Sequence, residues 1–140
     1  MPPPAYVWSL CTFLMKMPTP PATASPSLQA GYRGIDTAAV YKNHRGVAEG
    51  MKASGVPRAE IFLTTKLAPA DQGYAPAKAA FALALQELAT EYVDLYLIHW
   101  PGTGGKAPED EAQRANRMES WKALEELHRE GKARYIGISK

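Results

Sequence analysis

Tyr92 to Pro101 reads Y-V-D-L-Y-L-I-H-W-P. Val93, Leu95, Tyr96, Leu97 and Ile98 form a near-continuous apolar run, the pattern of a strand buried on both faces in a helix-covered parallel sheet. Pro101 cannot donate to a ladder, so the strand ends about there. His99 and Trp100 are thereby placed at its carboxyl end, where parallel α/β folds bind ligands and do chemistry. Taken singly, His99 fits equally a hydrogen-bonded histidine at the edge of a core.

The same unit repeats outward in both directions. Upstream, Pro76 opens a helix over 77–90 with Ala80, Phe81, Ala84, Leu85 and Leu88 on one stripe. Before it, Ile61 to Thr65 is a β-branched strand ending at Lys66. Arg45 to Ser54 reads as a helix with Gly55 as its stop, and Tyr32 to Ile35 as a short strand ending at Asp36. Downstream, a polar loop over 102–110 leads to a helix over about 116–130, with Trp121, Leu124 and Leu127 at helical spacing and Gly131 after it. A last strand, Arg134 to Ile138, ends at Ser139. The order β-α-β-α-β-α-β implies parallel strands with right-handed crossovers. Doubly wound sheet and (β/α)8 barrel both fit. No G-x-G-x-x-G follows a strand, which counts against a Rossmann site. A whole barrel takes about 250 residues, so the 140 present accommodate about four consecutive units.

Composition sets further bounds. Charged residues are 21%, hydrophobic residues 46% and the net charge +2, ordinary values for a globular chain and no argument for nucleic acid. No apolar run approaches the roughly 20 residues a membrane span needs. The single cysteine, Cys11, excludes an internal disulfide framework and a cysteine-based zinc site. A cytoplasmic protein is expected. Residues 1–30 differ from the rest: seven of the twelve prolines and one charge, Lys16, lie there. They read as a poorly ordered tail. The alternative is an organelle transit peptide, against which the lack of arginine argues.

Each strand delivers a chemically capable residue at its carboxyl end: Asp36, Lys66, His99 and Ser139, with Tyr41 in the loop after Asp36. Each has a dull explanation alone, as a cap, a turn residue or a solvated strand end. A barrel, however, brings neighbouring strand ends onto one pocket. A phenol with pKa near 10 is a reluctant acid. An adjacent ammonium stabilises the phenolate, a carboxylate holds the ammonium, and a neutral imidazole orients a carbonyl oxygen. That set suits protonation of an oxygen as a carbonyl accepts hydride. Side chains supply no hydride, so a cofactor is required.

Four segments, G-Y-R-G-I-D-T-A-A-V-Y-K-N from Gly31, T-T-K-L, Y-L-I-H-W-P and I-G-I-S, together resemble the aldo-keto reductase superfamily. The resemblance runs from about Gly31 to Ser139, with the motifs in family order. It implies a partial (β/α)8 barrel over 31–140, its strands corresponding to the second to fifth, and NADPH-dependent reduction of small-molecule aldehydes and ketones. It makes Tyr41 the proton donor, Lys66 and Asp36 its partners, His99 the group that orients the carbonyl, Trp100 a substrate-pocket wall, and Asp36 and Ser139 cofactor contacts. No metal is implied.

Departures from the family pattern are also legible. Pro18 to Ser27 is too proline-rich for the expected helix before G-Y-R. The sixth to eighth strands, with most of the cofactor contacts, do not follow. His44 stands where the family has Glu, losing a carboxylate that favours a helix N-terminus. Gly34 and Lys140 replace a larger side chain and an Asn. A half-barrel exposes two sheet edges and an apolar inner face, so a catalytically silent module and self-association through those edges are the competing expectations.

Overall fold

The computed structural model describes residues 24–103 and 110–140. Four strands and four α-helices alternate: α1 (Ala24–Gln29), β1 (Gly34–Asp36), α2 (His44–Ser54), β2 (Phe62–Leu67), α3 (Tyr74–Glu87), β3 (Val93–Ile98), α4 (Glu111–Arg129) and β4 (Ala133–Ile138). The strands form one parallel sheet in the order β1-β2-β3-β4. That order decides between the two expected architectures. A doubly wound sheet reverses direction at a switch point, whereas a barrel adds each strand beside the last. These are four consecutive units of a (β/α)8 barrel.

The strand register explains how chemistry gathers at one end. Asp36 pairs with Thr64, and Lys66 lies two residues further along β2. Lys66 pairs with Leu97, and His99 lies two residues beyond it. Side chains alternate faces with period two, so Asp36, Lys66 and His99 share the inner face.

The opposite face carries the core. Leu63, Leu67, Tyr96 and Ile98 are buried against Val47, Met51, Phe81, Leu124 and Leu127 of the helices. Phe81 and Tyr96 meet edge to face at 4.6 Å between centroids. β3 was expected to be buried on both faces, but Leu95 and Leu97 are only partly covered. The inner face overlooks the barrel interior, which four strands do not enclose.

At the amino ends of the strands Asp94 is 3% exposed yet charged. Its carboxylate accepts from Arg58 at 2.9 Å, Arg134 at 3.0 Å and the Leu63 amide at 3.0 Å. Both guanidiniums also lie over the Tyr92 ring, 4.1 and 4.2 Å from its centroid.

The helix expected to be excluded by proline is present as α1. Pro26 is its third residue, within the first turn, where no intrahelical donor is needed, and its carbonyl still accepts from Ala30 at 2.9 Å. Ala24 and Leu28 are buried. The contact with α2 is close: a Cβ on Gly50 would lie 2.6 Å from that of Ala24. Residues 24–30 therefore pack with the barrel units rather than trailing from them. The remainder of the expected tail, with Cys11 and Lys16, lies outside the described residues. Helix ends also shifted. α3 starts before Pro76, α4 begins at Glu111 on an Asp110 cap whose side chain accepts from the Ala112 amide at 2.8 Å, and Gly55 and Gly131 take the left-handed conformation (φ 72°) that stops α2 and follows α4.

Candidate active site

Lys66 is almost fully buried at the end of β2. Its ammonium donates to the Asp36 carboxylate and to the Thr37 carbonyl at 3.2 Å. The ammonium nitrogen lies 5.4 Å from the centre of the Tyr41 ring. Tyr41 closes a 3-10 turn, Ala39–Tyr41, and Lys42 after it is left-handed (φ 52°). This turn is what folds the phenol back over the strand ends. The Tyr41 and His99 rings are 5.7 Å apart and nearly perpendicular. Trp100 continues the line at 6.0 Å from His99 and is 43% exposed. Asp36, Lys66, Tyr41, His99 and Trp100 are thus brought together. Ser139 is exposed at the end of β4, where its amide donates to the Ile98 carbonyl at 2.9 Å.

His99 is buried. Removal from water and the Lys66 and Lys140 ammoniums push its pKa below the ordinary histidine value, with Asp36 pulling the other way. The ring is neutral at pH 7 and can hydrogen-bond an oxygen without carrying charge. Its Nδ1 is buried without a hydrogen-bond partner among the described residues. A polar atom in that state is uncommon, and ligands or ordered water complete such sets.

The family profile for the aldo/keto reductase family matches residues 22–140. The chain belongs to the aldo/keto reductase family. It is 48% identical over 113 residues to a 9,11-endoperoxide prostaglandin H2 reductase of Trypanosoma cruzi, covering 81% of this chain and 36% of that protein. It is 47% identical over 113 residues to a glyoxal reductase of Bacillus subtilis, covering 81% and 37%. An aldo/keto reductase structure from Brucella melitensis superposes with a TM-score of 0.75 at 45% identity, covering 84% of this chain and 42% of the other. A Bombyx mori aldo-keto reductase in complex with NADP gives 0.71 at 32% identity, covering 84% and 39%. The chain spans little more than a third of the curated relatives' length.

Two residues shortly after Tyr41, Asn43 and His44, support this cluster. Asn43 opens α2, but its side chain caps nothing; its Oδ1 accepts from the buried Thr37 hydroxyl at 2.6 Å, closing the loop that carries Tyr41. His44, one residue on, is buried. A carboxylate can only accept, so His44 Nδ1–H donates to Glu87 at 3.3 Å and Nε2 accepts from the Thr65 hydroxyl at 2.9 Å. His44 thereby ties the start of α2 to the strand that bears Lys66. Burial lowers the His44 pKa against the opposing pull of Glu87. The unfolded chain thus binds more protons as pH falls. The stability His44 contributes is full above its unfolded value of about 6.5 and declines below it; His99 acts in the same direction. The melting temperature is expected to fall between about pH 7.5 and 5.5, and His44→Gln to make that fall shallower. Identical slopes in both proteins would refute the assignment.

The segment after His99 is held from outside. Gln72 Nε2 donates to the Trp100 carbonyl at 2.7 Å, and Arg117 donates to the Pro101 carbonyl at 2.9 Å. Gln113, 1% exposed on α4, accepts from the Thr103 amide at 2.7 Å and donates to the Thr103 carbonyl at 2.9 Å. A Cβ on Gly102 would lie 2.9 Å from the Gln113 oxygen, so only glycine passes there without a shift. Gln113→Leu should leave two backbone groups unpaired, destabilising the chain by about 1–3 kcal/mol. Hydrogen exchange at the Thr103 amide is the check; protection retained in the variant would show that the clamp is not what fixes this segment.

Proposed function

We propose that the protein reduces aldehydes and ketones to alcohols with NADPH, Tyr41 giving the proton. The observation that carries this reading is the convergence of Asp36, Lys66, Tyr41 and His99 at the carboxyl ends of adjacent strands. Relatives named as reductases and a neighbour solved with NADP support it.

The residues fit the chemistry. The carbonyl oxygen is oriented by neutral His99, beside the Tyr41 ring. As negative charge grows on that oxygen, the Tyr41 hydroxyl releases its proton to it. The remaining phenolate is stabilised by the Lys66 ammonium, itself fixed by Asp36 and the Thr37 carbonyl. Trp100 shields one side of the substrate. The exposed Ser139 hydroxyl and the Asp36 side of the pocket offer hydrogen bonds to the cofactor. When bound, NADPH supplies the hydride.

The test is a titration of NADPH into the purified chain, followed by nicotinamide fluorescence and then by NADPH oxidation with 4-nitrobenzaldehyde. Saturable binding with turnover is expected. A chain that binds no NADPH would sink the reading in favour of a silent module of the same family.

A further inference from the structure

Lys140 is a second ammonium at this site, and it is placed differently from the first. Lys66 is neutralised by Asp36. Lys140 has no ion pair with any carboxylate among the described residues. Its ammonium nitrogen stands instead 4.0 Å from the centre of the Trp100 indole, a cation–π contact on the half-exposed wall of the pocket. His99, Trp100 and Lys140 follow one another across the mouth, with 6.0 Å from imidazole to indole and 4.0 Å from indole to ammonium. The Lys140 charge also reaches His99, where it helps hold the ring neutral. A ligand whose carbonyl oxygen meets His99 therefore lies near a positive charge that no described carboxylate pairs with. Lysine at this position, beside Ser139, turns an uncharged edge into a cationic one.

We infer that Lys140 selects carbonyl substrates bearing a carboxylate several bonds from the reacting carbonyl, the acid group pairing with the ammonium over Trp100 while the carbonyl sits at His99. A 4- or 5-oxo acid or a carboxybenzaldehyde carries both groups. This rests on the reading of the pocket as a carbonyl site. It adds a carboxylate subsite, which that reading does not require.

The experiment is binding to the 140-residue chain at low salt, followed by the NMR shift of the Trp100 indole N–H. The probes are 4-carboxybenzaldehyde and its near-isostere 4-methylbenzaldehyde. The carboxybenzaldehyde should bind about fivefold more tightly than the methyl analogue, the size of one exposed charge pair. That advantage should shrink with added salt, disappear in Lys140→Met and persist in Lys140→Arg. Equal affinities for the two benzaldehydes, or a preference that survives Lys140→Met, would overturn the carboxylate subsite and leave the carbonyl reading standing. If neither benzaldehyde shifts Trp100, the subsite and the carbonyl pocket both fail.

Discussion

Tyr41→Phe should lower aldehyde reduction by about 10²–10⁴-fold while NADPH binding persists, because a positioned general acid supplies a factor of that size. The ring itself is kept in this substitution. Its edge contact with His99 at 5.7 Å and its place 5.4 Å from Lys66 do not depend on the hydroxyl. What is lost is the only group in the line whose deprotonated form is stabilised by the adjacent ammonium. His99 cannot replace it, since burial and two nearby ammoniums keep its ring without a proton to spare at pH 7. Lys66 cannot readily replace it either, being committed to Asp36 and the Thr37 carbonyl. Steady-state turnover and cofactor titration of the same preparation make the measurement. A Tyr41→Phe protein with turnover within a few-fold of the parent would show that the proton comes from elsewhere.

Asp94→Ala should destabilise the fold by about 3–5 kcal/mol, the cost of removing one member of a buried charge cluster. Two arginines and the Leu63 amide lose their acceptor at once. Arg58 retains three other acceptors, the Ile61 and Tyr92 carbonyls and the Thr90 hydroxyl, so its charge stays in place without compensation. Whole domains are stable by only 5–15 kcal/mol, so the loss is a large fraction of the total. Urea denaturation should show a lower midpoint with little change in slope. The cluster lies at the amino ends of the strands, where barrels carry stability rather than chemistry. NADPH affinity of the protein that remains folded should therefore change little. A shift under about 1 kcal/mol would mean that solvent takes over the role of the carboxylate.

Much of this architecture could be read from the chain. The apolar run at 93–98 coincides with β3, and Pro101 shortly after it marks where the strand must stop. Helix starts were harder. Pro76 marks a first turn but does not say which position of it, and the true start, Tyr74, has no capping side chain to announce it. Pro26 hides α1, because a proline breaks a helix interior but is tolerated in a first turn, and only the packing on α2 shows which of the two it occupies. Of the site, Asp36, Lys66, Tyr41, His99 and Trp100 were visible as polar or aromatic groups at strand ends. Gln72 and Gln113 were not. Their partners lie on other elements, and a glutamine at helical spacing looks the same whether it faces water or a buried backbone.

The sequence by itself determined the alternation of strands and helices from β1 onward, the core stripes of α3 and α4 and about where each strand ends. These follow from local hydrophobic period and backbone chemistry. Only the tertiary structure decided that the strands lie in unbroken order, that a stagger of two residues per strand puts Asp36, Lys66 and His99 on one face, and that Lys140 stands over Trp100. Those relations are set by hydrogen-bond register between strands far apart in the chain, which no local pattern encodes.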